Sequence, residues 1–256
     1  MLDEVLNRLR SSRLGQLDHG SVNQAGSANT LFAGNFSGTT TVKSEFANTR
    51  LGLGVMHDLE GEVVSLRGTT WRVPIEGTPE VLDPGEEIAF GIAATGGIAH
   101  TFHLKPGLSI EGVLEHLDAY LLATHVDHEH VVCAIEIQGT FSDVALRTEG
   151  HPDWEGESLG EVLDHETRFI FPQWNGTLVG FRYPDSTTGT TIPGLHLHAI
   201  SDDRQSGGHV RNATTGVVRA SVWIDDLHLA KSDETPATDG GDSSPIDFGA
   251  YEGPVK

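Results

Sequence analysis

The sequence predicts an α+β fold, with mixed or antiparallel β-sheets forming two β-rich lobes and a few packed helices. Three observations lead there. Seven runs rich in β-branched and aromatic residues are bounded by Gly, Pro, Asp and Asn, which is how strands and their turns read. Two stretches alone carry a helical stripe with a capping residue. The order is strands, a helix, a strand, a helix, then more strands, and not the regular alternation of a doubly wound sheet.

The strands are expected at 37–43, 61–68, 87–93, 131–141, 177–184, 194–200 and 216–224. In the first helix, 109–123, Ser109 can cap and Ile110, Val113, Leu114, Leu117 and Leu121 make the apolar stripe. The second, 158–166, opens with Ser158 and Glu161 at capping-box spacing, although Gly160 weakens it. His100 and His103 in "IAHTFHL" faintly echo "GLHLHAI", a weak hint of duplicated lobes. The domain expectation is a two-lobed catalytic domain over 1–230, then an acidic linker over 231–248 rich in Ser, Pro and Gly. A short tail follows at 249–256, and its docking at the active site is left open.

At 256 residues the chain can bury a sizeable core. With 37 acidic against 16 basic residues the formal charge is -21, which argues against nucleic acid as a partner. It fits a solvated acidic surface. No apolar run is long enough to cross a bilayer, so no membrane partner is expected. The first residues, "MLDEVLNRLRSSRLG", alternate charge with leucine as a short amphipathic helix or a frayed end and lack a signal-peptide core. A cytoplasmic location is the expectation. Cys133, the sole cysteine, sits in the apolar run "VVCAIEI" and reads as a buried structural thiol.

Chemistry concentrates in "PGLHLHAISDDRQSGGHV", residues 193–210. Residues two apart on a strand share a face, so His196 and His198 can aim both imidazoles at one point. Gly207 and Gly208 let the chain reverse, and His209 can return on a neighbouring strand to complete a face of three nitrogens. Three neutral imidazoles suit Zn²⁺, with a fourth position open for water or substrate. Other divalent metals also accept such donors. A second cluster, His125, His128 and His130, is interleaved with acids after the first helix and reads as a solvated helix exit.

The segment "GLHLHAISDDRQSGGHV" resembles the signature of α-acetolactate decarboxylases, where a strand carrying HLH leads through an acidic, Arg-containing turn into SGGHV. Other landmarks follow in the family's order. "LGLGVMHDLEGEVVSL" (51–66) resembles its LDGE segment, which implies a site role for Glu62. "IEIQGTFSDVALRT" (135–148) resembles a segment whose arginine faces the substrate, here Arg147. The closing "YEGP" resembles a C-terminal glutamate-glycine pair whose acid reaches the metal pocket, here Glu252. The resemblance departs at Gly54-Val55-Met56, where the family usually reads Gly-Thr-Phe, and in a tail that is shorter and more polar.

The resemblance implies metal-dependent decarboxylation of α-acetolactate to acetoin and CO₂ through a zinc-stabilised enediolate. His196, His198 and His209 would hold the ion, Arg147 the substrate carboxylate, and Glu62 or Glu252 would supply the proton. The partner is then a small-molecule substrate, and oligomeric state stays open, a homodimer included. Read without the resemblance, Glu62 is a solvent-facing acid, Arg147 one end of a surface ion pair, and Glu252 part of a frayed terminus. Two other readings of the histidines stand beside it. One is a cupin-like metal enzyme with Asp202 or Asp203 as fourth ligand. The other is a non-catalytic metal-binding module with a closed coordination sphere.

Overall fold

The computed structural model describes residues 20–226. The N-terminal segment, the acidic linker and the tail with Glu252 lie outside the described residues. Seven strands form the first sheet: β1 (Val22–Ala25), β2 (Thr40–Thr41), β3 (Leu51–Met56), β4 (Glu62–Leu66), β5 (Thr69–Val73), β6 (Glu80–Val81) and β7 (Glu87–Ala94). Their order is β1-β7-β3-β4-β5-β6, with β2 also paired to β7. The second sheet comprises β8 (His100–Leu104), β9 (Val131–Thr148), β10 (Thr167–Tyr183), β11 (Gly194–Ser201) and β12 (Gly207–Asp226). It runs β11-β10-β9-β12-β8, and β11 also pairs with the start of β12, which joins the order back on itself. These strand pairings are antiparallel, in keeping with the α+β expectation.

One apolar core lies between the sheets. Leu51, Leu53, Val64 and Ile92 of the first meet Val132, Ala134, Val179, Phe181 and Ile200 of the second, all nearly inaccessible to water. The outer face of the second sheet is covered by α3 (Ile110–Ala123), whose Val113, Leu117 and Leu121 are buried at helical spacing. Ser109 caps it, accepting from the Gly112 amide at 3.2 Å, as the sequence predicts. The helix α4 (Leu159–Leu163) carries the expected capping box of Ser158 and Glu161 but ends at Leu163 instead of continuing to 166. The short α1 (Ala28–Phe32) buries Leu31 and Phe32 against the same inter-sheet core.

The expected strand at 37–43 is a correction. Only Thr40–Thr41 pairs, after which α2 (Val42–Phe46) turns away. The cause is Thr41, whose side chain accepts from the Ser44 amide at 3.3 Å and starts a helix where a run of threonines reads as strand. β9 and β10 are far longer than expected, and their added lengths place the site.

Candidate active site

The three histidines owe their meeting to register. His198 on β11 lies directly opposite His209 on β12, and His209 lies opposite Arg147 on β9. Residues directly opposite in an antiparallel pair project to the same face, so this row presents two imidazoles and a guanidinium together. His196 joins them two positions before His198 on the same strand. The ring centroids are 5.1 Å apart for His196 and His198, 5.0 Å for His196 and His209, and 5.3 Å for His198 and His209. One nitrogen from each can be chosen so that all lie within 4.8 Å of one another, close enough to hold a metal ion. All three rings are buried.

The reversal that returns His209 is built as the two glycines predict. Gly208 has φ 130°, and a Cβ there would come within 2.5 Å of the Arg147 carbonyl oxygen. The turn before it is pinned by Ser201, whose Oγ accepts the amides of Gln205 at 3.1 Å and Ser206 at 3.0 Å and donates to Asp203 at 2.7 Å. Asp202 and Asp203 are exposed, and the histidine cluster does not include them. They serve the turn, which removes the fourth ligand of the cupin-like reading.

Glu62 enters from the first sheet. It begins β4 and shares a face with Val64 and Leu66, both in the inter-sheet core. It is 3 % exposed, so the solvent-facing alternative does not hold. Its Oε2 is 3.3 Å from His198 Nε2, and its Oε1 is 3.4 Å from Arg147 Nη1. His198 Nδ1 lies 2.8 Å from the Val63 carbonyl oxygen, which can only accept, so that nitrogen carries the hydrogen. In the neutral ring Nε2 then turns a lone pair toward a carboxylate oxygen. Two acceptors at that distance require a proton or a cation between them.

Arg147 is buried too, against the expectation of a surface ion pair. Besides Glu62, it meets Glu149 at 2.7 Å and Glu166 at 3.5 Å. Sequence reasoning passed over both acids. Glu149 stands two positions beyond Arg147, a spacing that could have pointed to it. Glu166 arrives through the pairing of β9 with β10, where Arg147 lies opposite Arg168, and nothing local announces it. Burial, then the neighbouring charges of Arg147, His198 and Arg211, hold the His209 pKa well below its ordinary value, which keeps that imidazole neutral.

The three histidines, Glu62, Arg147 and Glu149 line one cavity of about 410 Å³ of empty space, its open mouth included. Its apolar wall includes Phe32, Val55, Phe90, Leu159 and Ile192. Val55, where the resembling family carries threonine, therefore faces the cavity with methyl groups and no hydroxyl. The His125, His128 and His130 group stays at the surface near Asp127 and Glu129, as a solvated helix exit should.

Fold and site together define a class: two antiparallel sheets enclosing three imidazoles able to hold a metal ion, beside a buried acid and a guanidinium. Comparison with known proteins gives that class a family. The model of the family described as alpha-acetolactate decarboxylase matches residues 22–235. The chain is 27% identical over 180 residues to the alpha-acetolactate decarboxylase of Klebsiella aerogenes, covering 70% of this chain and 67% of that protein. It is 27% identical over 215 residues to the one from Methanosarcina mazei, covering 84% and 72%. With that of Brevibacillus brevis it shares 29% over 194 residues, covering 74% and 65%, so the chain spans about two thirds of the length of such relatives. The crystal structure of acetolactate decarboxylase from Bacillus subtilis subspecies spizizenii superposes with a TM-score of 0.72 at 23% identity, covering 80% of this chain and 86% of that one. The chain belongs to the α-acetolactate decarboxylase family, as its histidine segment implies.

Proposed function

We propose that this protein decarboxylates α-acetolactate to acetoin and CO₂ with a divalent ion, zinc by the chemistry of its donors, held by His196, His198 and His209. The observation that carries the reading is the convergence of three buried imidazoles with Glu62 and Arg147 on one cavity. The donor set fits such an ion. Three nitrogens from neutral rings suit zinc and leave a position open. The Val63 carbonyl orients His198 as an outer partner orients a metal ligand, and the lone pair it directs at Glu62 is explained by a cation nearby.

A divalent ion so held supplies a Lewis acid for the substrate's hydroxyl and keto oxygens. The chain's own groups supply the rest. Arg147 binds the carboxylate and orients the bond to be broken across the carbonyl plane, which a planar guanidinium does better than an ammonium. As CO₂ leaves, its bonding electrons pass to the adjacent carbon and oxygen. Glu62, in its protonated form, then delivers that proton to the carbon and is left as the carboxylate, and burial of the site keeps water from competing. The apolar wall of Phe32, Phe90, Leu159 and Ile192 receives the methyl groups. Glu252 is the second candidate donor, outside the described residues.

Purified zinc-loaded variants test the assignment. His198→Ala is expected to lose both metal and activity. Glu62→Gln and Arg147→Lys are expected to retain metal and to lose about 10²-fold or more in turnover, the usual scale for a proton-transfer or charge-stabilising group. Full turnover in either would remove that residue from the chemistry.

A further inference from the structure

Arg147 is approached by three acidic side chains. The side chains of Glu62, Glu149 and Glu166 are all nearly covered where they meet its guanidinium. The three are not equivalent. Glu62 also faces His198, and Glu166 is shared with Arg168 on the surface side. Glu149 is committed to Arg147 Nη1 at 2.7 Å, the shortest of the three contacts, and is 3 % exposed. It lines the histidine cavity and also an outer groove with Glu60, Arg72 and His151, so its side chain forms part of the partition between them.

We propose that Glu149 is a positioning residue that sets how strongly Arg147 grips the substrate's carboxylate. The inference rests on the decarboxylase reading above. A carboxylate entering the cavity meets a guanidinium already held and partly neutralised by Glu149, so its binding is weakened by a like charge on the same cation. Weak binding serves this reaction. The carboxylate charge is present in the ground state and disappears into CO₂, so any interaction that favours it before reaction is lost at the transition state. A bare buried arginine would bind the substrate tightly and release it from the carboxylate form slowly. Glu149 also fixes Nη1 in place, so the weakened grip stays directional.

Glu149→Gln removes the charge while keeping an oxygen that can accept from Nη1 and keeping the partition filled. In the zinc-loaded variant KM for acetolactate is expected to fall roughly tenfold, with kcat falling by a similar factor or more. The inhibition constant of 2-hydroxy-2-methylbutanoate, which has the carboxylate and hydroxyl but no ketone to support decarboxylation, should fall with KM. That of neutral acetoin should not move, and zinc content should be unchanged. A merely structural role would lower kcat alone, or shift both inhibitors together; either result, or an unchanged KM, overturns the proposal. Should Glu149→Gln fail to fold, Glu149→Asp provides the reading. It draws the charge back by one methylene and is expected to move KM and the carboxylate inhibitor the same way by a smaller factor, and an unchanged KM there overturns the proposal equally. Calorimetric binding of 2-hydroxy-2-methylbutanoate to wild type and variant separates this failure from a wrong function. A wild type that neither makes acetoin nor binds the analogue refutes the decarboxylase reading, whereas a wild type that does both beside an indifferent Glu149→Gln refutes only the role of Glu149.

Discussion

Glu45 shows how a single side chain can work against the fold that holds it. It lies on α2, half-buried, with Oε1 enclosed and without a hydrogen-bond partner among the described residues, and burial raises its pKa to about 7. The raised value means that the folded state keeps the proton that the unfolded chain gives up near its ordinary value. The contribution to stability is therefore full below pH 4.5 and is lost as pH rises through about 7. Glu45→Gln should stabilise the protein by about 1 kcal/mol at pH 8, after discounting for the exposed part of the group, and by little at pH 4.5. Thermal melts at the two pH values check it, and an equal shift at both would contradict the titration. At this same scale the sequence was most legible for His196, His198 and His209, because spacing on a strand and a double glycine are local signals. Glu62 and Arg147 needed the family resemblance, since their burial is produced by the opposite sheet. Glu166 was illegible, because its place beside Arg147 depends on a strand pairing with many residues between.

Among the elements, those read well carry a regular period or a cap. α3 begins and ends as its leucine stripe and Ser109 require, and β7 and β11 lie within a residue of their expected bounds. β9 was read as ending at Phe141 because the turn-forming Ser142 and Asp143 follow, and β10 as starting at Thr177 because Gly176 precedes it, although both strands continue past these points. Those continuations carry Arg147 to its place. The hairpin between β11 and β12 is the element on which the site depends. Gly208→Ala would put a side chain at φ 130° and within 2.5 Å of the Arg147 carbonyl oxygen. The expected cost is about 1–3 kcal/mol, together with weaker zinc binding, because His209 is the next residue. Denaturant unfolding and metal titration of this variant measure the two effects, and an unchanged zinc affinity would show that the hairpin tolerates the shift.

For the whole molecule, two sheets close over one core and the site sits where they meet. His196, His198, His209 and Arg147 come from the second sheet and Glu62 from the first, so the proposed site is assembled only with both in register. Phe181, fully buried between them, should cost about 3–5 kcal/mol when changed to Ala, and metal affinity should fall with it as the sheets lose their fixed spacing. The α+β class with antiparallel sheets was legible from strand-rich composition and irregular element order, whereas the expected two β-rich lobes are two sheets sharing one core. Which strands neighbour which was not legible, because period-2 patterns specify a face and not a partner. The tail is tested by truncation after Phe248. If Glu252 contributes, acetoin formation should drop while the unfolding midpoint stays put, and full activity would exclude it.

Incubation of the zinc-loaded protein with racemic acetolactate tests the account most directly, with acetoin and CO₂ both quantified. We expect the two products in equal amounts, at a rate abolished by His198→Ala and restored in wild type by adding zinc back after chelation. Metal-replete wild type that converts no acetolactate, or that converts it equally well after its zinc is stripped, would contradict a metal-assisted decarboxylase built on these three imidazoles.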